Sequence, residues 1–200
     1  MAIDAIVFDL GGVMIDYVGV EDLAEWLPPS HTPAAIRTRL SRCAQTQAFG
    51  VGRLDRDEFA QRFVADWGLD LTPADFLCRF RRSVRGWLPG AEDLLAELRP
   101  RYTLAALSNT NVLHWERVID DLGAGSRFDL VIPSHEVGLS KPDSRIFDLT
   151  LARLNLIPEN VAFFDDSAVN VEAARAVGLQ AWQVEGVDEA RCRLVEAGLL

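Results

Sequence analysis

Asp9, Ser108, Lys141, Asp165 and Asp166 are the residues of this chain whose types and settings could do chemistry. Three apolar runs, Ile6–Phe8, Thr103–Leu107 and Val161–Phe164, break off into Asp9-Leu10-Gly11-Gly12, Ser108-Asn109-Thr110 and Asp165-Asp166-Ser167. Desolvating a carboxylate at the end of a buried strand is costly unless it is compensated. Three apolar strands that each deliver polar groups at their C-terminal ends describe the ligand-binding edge of an open parallel sheet.

Gathered at one edge, these groups suggest a reaction. Two or three carboxylates at close range cannot all stay ionised without a cation. Oxygen ligands favour a hard ion, and Mg²⁺ is the usual choice where a phosphate shares the coordination sphere. Ser108 offers a hydroxyl, the turn after it backbone N–H groups, and Lys141 a fixed positive charge; together they make a cradle for a phosphoryl group. A carboxylate facing that cradle can attack phosphorus and form an aspartyl-phosphate. Lys141 and the metal would offset the repulsion between carboxylate and phosphate dianion.

The elements that must position these residues follow from periodicity. Residues about 20 to 87 carry helical signals only. Ala34–Ala44 places Ile36, Leu40 and Cys43 on one face. Asp55 with Glu58 resembles a helix-start box, followed by Phe59, Phe63 and Trp67 at spacing four. Thr72-Pro73 opens a helix with Phe76, Phe80, Val84 and Trp87 as its stripe. Beyond residue 88 helix and strand alternate: helices over Ala91–Leu98, Val112–Leu122, Ser144–Leu154, Ala168–Val177 and Asp188–Ala197, and strands over Thr103–Leu107, Asp129–Ile132, Val161–Phe164 and Leu179–Val184. Such units build an α/β fold, a Rossmann-like parallel sheet flanked by helices. The expected division is a core of residues 1–14 plus 88–200 and an inserted all-helical cap of residues 15–87, hinged after Val13 and around Trp87–Gly90.

The segments Phe8-Asp9-Leu10-Gly11-Gly12-Val13, Leu107-Ser108-Asn109-Thr110-Asn111, Ser140-Lys141-Pro142 and Phe163-Phe164-Asp165-Asp166-Ser167 resemble motifs I to IV of the haloacid dehalogenase superfamily, in the family's order. The insertion after the first motif is similar to the C1-capped subgroup. Ser108-Asn109-Thr110-Asn111 with His114, and Phe163–Asp166, look like its sugar-phosphatase branch, which includes bacterial α-D-glucose-1-phosphate phosphatase. The resemblance implies roles at matching positions. Asp9 would be nucleophile and metal ligand, and the Gly11 carbonyl a second ligand. Ser108 and the Asn109 amide would hold phosphoryl oxygens, and Lys141 would bridge nucleophile and phosphate. Asp166 would be the direct metal ligand of its pair, with Asp165 helping directly or through water. The implied activity is Mg²⁺-dependent hydrolysis of a small phosphorylated metabolite, a sugar 1-phosphate among the candidates.

One departure matters. Most phosphatases of the family carry a second Asp, as general acid and base, where this chain has Gly11. A positioned acid is worth roughly 10²–10⁴-fold in rate. Two alternatives follow: a 2-haloacid dehalogenase, which needs no metal and no second Asp, and a weakly active or non-catalytic scaffold. Asp165-Asp166 speaks against the first, and the four retained site elements against the second. Asp16 reads as a cap or as the missing acid, and Asn170 as a brace for the metal loop or as plain helix surface. Arg79, Arg81, Arg82 and Arg85 form a solvated face or select an acidic substrate, and His114 could face the site.

Composition narrows the partners. The 200 residues carry a formal charge of −10, which disfavours nucleic acid and anionic membranes. No apolar run approaches the ~20 residues of a membrane span, and no signal peptide is evident. Cys43, Cys78 and Cys192 are odd in number and widely spaced, so reduced, mostly buried thiols in a cytoplasm are expected. The sequence leaves the oligomeric state open.

Overall fold

A computed structural model describes residues 2–200. Its centre is a parallel sheet whose strands are β1 (Ala5–Phe8), β4 (Thr103–Ser108), β5 (Leu130–Pro133), β6 (Val161–Asp165) and β7 (Gln180–Gln183). The order is β5-β4-β1-β6-β7, with β1 in the middle. β1 and β6 are buried along their whole length, as is β4 after its first residue. Strands covered on both faces need unbroken apolar runs, which these are. Side chains alternate between two cores. Ile6, Phe8, Leu104, Ala106, Ala162 and Phe164 pack on one face; Ala5, Val7, Ala105, Leu107, Val161 and Phe163 pack on the other. Helices α6 (Ala91–Leu98) and α11 (Gly186–Glu196) cover the first face, and α9 (Ser144–Leu154) and α10 (Ala168–Val177) the second.

Between β1 and β4 the chain forms α1 (Gly19–Trp26), α2 (Pro33–Ser41), α3 (Ala44–Gly50), α4 (Arg56–Trp67) and α5 (Pro73–Arg81). Thr32, Asp55 and Thr72 cap α2, α4 and α5 through their side-chain oxygens. The aromatic stripes close a third core, in which Phe59 lies 4.2 Å from Phe49 and Phe63 4.9 Å from Phe76, centroid to centroid.

Several expectations need correction. The single helix over Ala34–Ala44 is two helices. α2 stops at Ser41, where the Gln47 side chain donates to the Ser41 carbonyl, and Cys43 becomes the N-cap of α3. The helical stripe through Val84 and Trp87 breaks at Arg81, and the insertion is not wholly helical. Val84–Trp87 is strand β3, antiparallel to β2 (Ile15–Tyr17). The reason is tertiary: the His114 ring donates to the Phe80 carbonyl at 2.8 Å, and Arg117 donates to the carbonyls of Val84 and Arg85. The helix expected over Val112–Leu122 is α7 (Val112–Glu116) followed by a π-helical turn, Arg117–Asp121. The three cysteines are free, but Cys78 and Cys192 are exposed and Cys43 half-buried. Each exposed cysteine stands two residues from buried neighbours, Phe76 and Phe80 on α5 or Ala190 and Leu194 on α11, which turns it about 200° away from the core.

β2 and β3 carry the chain out to the helical insertion and back. The two crossings lie side by side, joined where the Leu88 N–H donates to Met14 O at 2.9 Å. No described helix is long and apolar enough to cross a membrane.

Candidate active site

Parallel register builds the site. Phe8 is level with Phe164 and Ala106, so the residues one step further, Asp9, Asp165 and Leu107, emerge together at the C-terminal edge. The Asp9 N–H donates to Phe164 O at 2.8 Å, which continues the ladder to the last residue before the turn. Three N–H groups, of Val13, Met14 and Ile15, fold back onto Leu10 O, and Gly186 N–H donates to Gly12 O; the Gly11 carbonyl takes part in none of these bonds. Gly12 has φ +76°, and a Cβ there would fall 2.8 Å from Asp166 Oδ2. Only glycine lets the turn approach that carboxylate so closely.

One ligand atom from each of Asp9, Asp165 and Asp166 lies within 4.8 Å of the others. Lys141 is buried among them, and its Nζ has three partners: Asp165 Oδ2 at 2.6 Å, Leu107 O at 2.8 Å and Asp9 Oδ1 at 2.9 Å. An ammonium has three hydrogens, and all three are used. The second Asp9 contact fixes the carboxylate: Leu10 N–H donates to the same Oδ1 at 2.7 Å. Asp165, fully buried, accepts from Lys141 on Oδ2 and from Ser167 N–H and Asn170 Nδ2, both at 2.9 Å, on Oδ1. Asn170 therefore braces this loop. Asp166 is exposed and free of such bonds among the described residues.

Three carboxylates against one ammonium leave the cluster negative. Burial pushes the Asp9 carboxyl up to about 6, with Lys141 pulling down and Asp165 and Asp166 adding to the rise. Asp166 is also raised, by partial desolvation of its carboxyl first and then by Asp165. Lys141 is held above its usual range by Asp9 and Asp165, against the opposing effect of its burial. An all-oxygen donor set with excess negative charge fits a hard divalent cation.

The structure places Ser108 at the end of β4, buried, with its hydroxyl in no hydrogen bond among the described residues. Asn109 is differently engaged: its side-chain amide clasps the Lys141 backbone, Nδ2 to O and Oδ1 to N–H, both at 2.8 Å. Asn111 caps α7 through Oδ1 and meets His114 Nδ1 at 3.1 Å. His114 is buried between Phe80 and Tyr17 and does not join the carboxylates; burial pushes its pKa down to about 4. Arg81 and Arg85 pair with Asp121 and Asp22, and Arg79 and Arg82 are exposed on the insertion, so no arginine cluster converges on Asp9.

Sequence reasoning missed the contacts that seal the insertion onto the sheet. Ser134, first residue of α8 (Ser134–Val137), accepts from Thr110 N–H at 2.8 Å and lies within hydrogen-bond distance of Gly50 O and Thr110 O, at 2.6 and 2.9 Å. Gly52, at φ +70°, packs so tightly on His135 that a Cβ would fall 2.3 Å from the His135 carbonyl. Nothing local in the sequence marks Ser134, although a Gly50-x-Gly52 pair between two helices does signal a close backbone approach.

Residues 3–178 match the model of a hydrolase family, the haloacid dehalogenase-like hydrolases. A D-ribitol-5-phosphate phosphatase of Bacteroides thetaiotaomicron is 28% identical over 196 residues, 90% of this chain and 91% of that protein. A HAD-like family hydrolase of known structure from Porphyromonas gingivalis superposes with a TM-score of 0.80 at 28% identity, covering 98% of each chain. A HAD family enzyme of B. thetaiotaomicron, crystallised with magnesium and inorganic phosphate, superposes with a TM-score of 0.77 at 22% identity over 91% of this chain and 94% of that one.

Proposed function

This chain belongs to the haloacid dehalogenase-like hydrolase family, and from that premise we propose that it is a Mg²⁺-dependent phosphatase of small phosphorylated metabolites. The observation that carries the reading is the carboxylate cluster of Asp9, Asp165 and Asp166 with Lys141 bridging the first two. A dehalogenating site gains nothing from a cation cluster.

Asp9 is the nucleophile. Leu10 N–H and Lys141 hold Oδ1, and this orientation leaves Oδ2 to attack phosphorus as the bond to the leaving oxygen breaks. Water then hydrolyses the aspartyl-phosphate. Asp9, Asp166 and the Gly11 carbonyl would hold Mg²⁺, with Asp165, already engaged three times, supporting them directly or through water. The bound ion would supply positive charge to the phosphoryl oxygens. Ser108 and the Asn109 backbone amide bind those oxygens. Lys141 reaches the phosphoryl group by exchanging one of its carboxylate contacts for a phosphoryl oxygen, because it has no hydrogen to spare. The helical insertion, residues 15–87, acts as the cap over this edge.

Gly11 in place of a carboxylic acid favours leaving groups that depart with little protonation, such as aryl phosphates and sugar 1-phosphates. The related protein named for D-ribitol 5-phosphate makes that primary-alcohol ester the comparison compound. The decisive experiment is hydrolysis of p-nitrophenyl phosphate and a metabolite panel with Mg²⁺, with EDTA, and by Asp9→Asn. Activity should vanish with chelator, return with Mg²⁺, and be absent in the variant. Full activity in excess chelator would overturn the reading in favour of a metal-independent hydrolase.

A further inference from the structure

We infer that the Asn109 side chain is a positioning residue: it fixes the Lys141 backbone, and through it the ammonium that must serve both nucleophile and phosphoryl group. The inference deepens the phosphatase reading above and rests on it. Asn109 Nδ2 donates to Lys141 O, and Asn109 Oδ1 accepts from Lys141 N–H, both at 2.8 Å. Lys141 is 3% exposed, so its peptide groups need partners inside the protein. The segment around it is not a strand, and Pro142 brings no N–H. Among the described residues, one side chain meets both the backbone donor and the backbone acceptor of the lysine.

Both ends of Lys141 are gripped by β4 and its extension. Leu107 O accepts from Nζ at 2.8 Å. Asn109, two residues on, holds the backbone. Between them stands Ser108, which with the Asn109 N–H forms the phosphoryl cradle of the proposed mechanism. Lysine and cradle are thus tied into one unit, although 32 residues separate Asn109 from Lys141. Nζ also holds Asp165 Oδ2 at 2.6 Å and Asp9 Oδ1 at 2.9 Å, and must release one contact to take a phosphoryl oxygen. With the backbone fixed, that exchange moves Nζ alone. With the backbone freed, the whole residue drifts from Asp9, and a misplaced charge loses most of its effect on the reaction.

The clasp needs a primary amide. An amide presents one donor edge and one acceptor edge, whereas a carboxylate presents acceptors only and would set an oxygen against Lys141 O. Alanine would leave both peptide groups of a buried residue unpaired, at the cost of their desolvation. The sequence supplies a probe for this arrangement: Lys141 is the one lysine of the chain. A lysine label therefore reports on this residue alone.

The test follows the Nζ ammonium resonance by NMR in Mg²⁺-loaded protein carrying isotope-labelled lysine. It compares wild type, Asn109→Ala and Asn109→Asp, with Asn160→Ala as a control at the opposite edge of the sheet, where Asn160 donates to Asp4. Wild type and Asn160→Ala should share one resonance in slow exchange with water. Both Asn109 variants should shift it and speed its exchange at least about tenfold. On p-nitrophenyl phosphate they should lose at least about tenfold in kcat with a smaller change in KM, because the ammonium matters most where charge moves. In a Lys141→Met background, Asn109→Ala should cost less than about threefold more, since its effect runs through the lysine. A wild-type-like lysine resonance in a folded Asn109 variant overturns the inference, as do additive losses with Lys141→Met or a wild-type resonance in fast exchange. Asn109→Asp keeps the side chain's volume and carries the test if Asn109→Ala does not fold. The resonance needs no substrate. A wild-type protein that hydrolyses no ester therefore overturns the phosphatase reading, while the lysine signal still decides whether Asn109 holds Lys141.

Discussion

Asp165 and Asp166 are adjacent and chemically identical, yet their surroundings give them different work. Asp165 is buried against Lys141, Asn170 and the Ser167 N–H, whereas Asp166 is exposed beside Gly12. Asp166→Ala should raise the Mg²⁺ concentration for half-maximal activity while the protein stays folded. Asp165→Ala leaves a buried ammonium with one carboxylate fewer and should cost about 3 kcal/mol; urea unfolding alongside a Mg²⁺ titration separates the two effects. Neighbouring glycines differ in the same way. Gly11 has an ordinary φ and 3.7 Å of room, whereas Gly12 is left-handed and crowded by Asp166. Gly11→Asp should therefore fold, and the ratio of alkyl to aryl phosphate turnover should rise, by up to roughly 10²-fold, because the new carboxyl can donate the missing proton. An unchanged ratio in a folded, Mg²⁺-binding variant would show that another group already supplies it. Gly12→Ala should instead push Asp166 aside and weaken Mg²⁺ binding.

At the scale of elements, the link between α3 and α8 holds the insertion against the edge of the sheet. Gly52 and Gly68 make a matched pair for testing it. Both are left-handed, at φ +70° and +63°, but only Gly52 touches another element, while Gly68 has nothing within 4 Å of a Cβ. Alanine at either position costs about 1 kcal/mol of backbone strain. Gly52→Ala should in addition separate α3 from α8, so its kcat/KM and its thermal stability should both fall below those of Gly68→Ala. Equal kinetics in the two variants would show that this contact does not govern the site.

Across the whole molecule, His114 joins the core to the insertion, since α7 follows the Ser108–Asn111 loop and the ring donates to Phe80 O on α5. In the neutral ring Nε2 donates to that carbonyl and Nδ1 accepts from Asn111. Burial lowers its pKa from 6.5 to about 4. The unfolded chain thus binds the proton first as pH falls. The stabilisation is complete above about pH 6.5 and is lost progressively down to about pH 4, a change of about 3 kcal/mol. Asp9 has the opposite sign in Mg²⁺-free protein, because its raised pKa favours the folded state on acidification. The prediction is therefore read as a difference: wild type should lose stability relative to His114→Gln between pH 6.5 and 4. Parallel pH profiles in denaturant melts would refute it.

The sequence by itself determined the sheet and the residues at its edge. Ala91–Leu98, Ser144–Leu154 and Ala168–Val177 are helices over those very spans, and the strands that lead into Asp9, Ser108 and Asp165 lie where the apolar runs predict. Local patterning suffices there because a strand buried on both faces needs an unbroken apolar run and each helix needs one apolar stripe. It failed where a distant partner outweighed local preference. The stripe through Val84 and Trp87 has helical spacing, but His114 takes the backbone carbonyl of Phe80 and Arg117 those of Val84 and Arg85, and the chain turns into a strand. Tertiary structure alone decided the separate roles of Asp165 and Asp166, the three protein partners of Lys141, the Ser134 link to Gly50 and the Asn109 clasp on the Lys141 backbone. Each depends on a contact between residues whose juxtaposition only the folded chain creates, and on burial, which no single residue's type reveals.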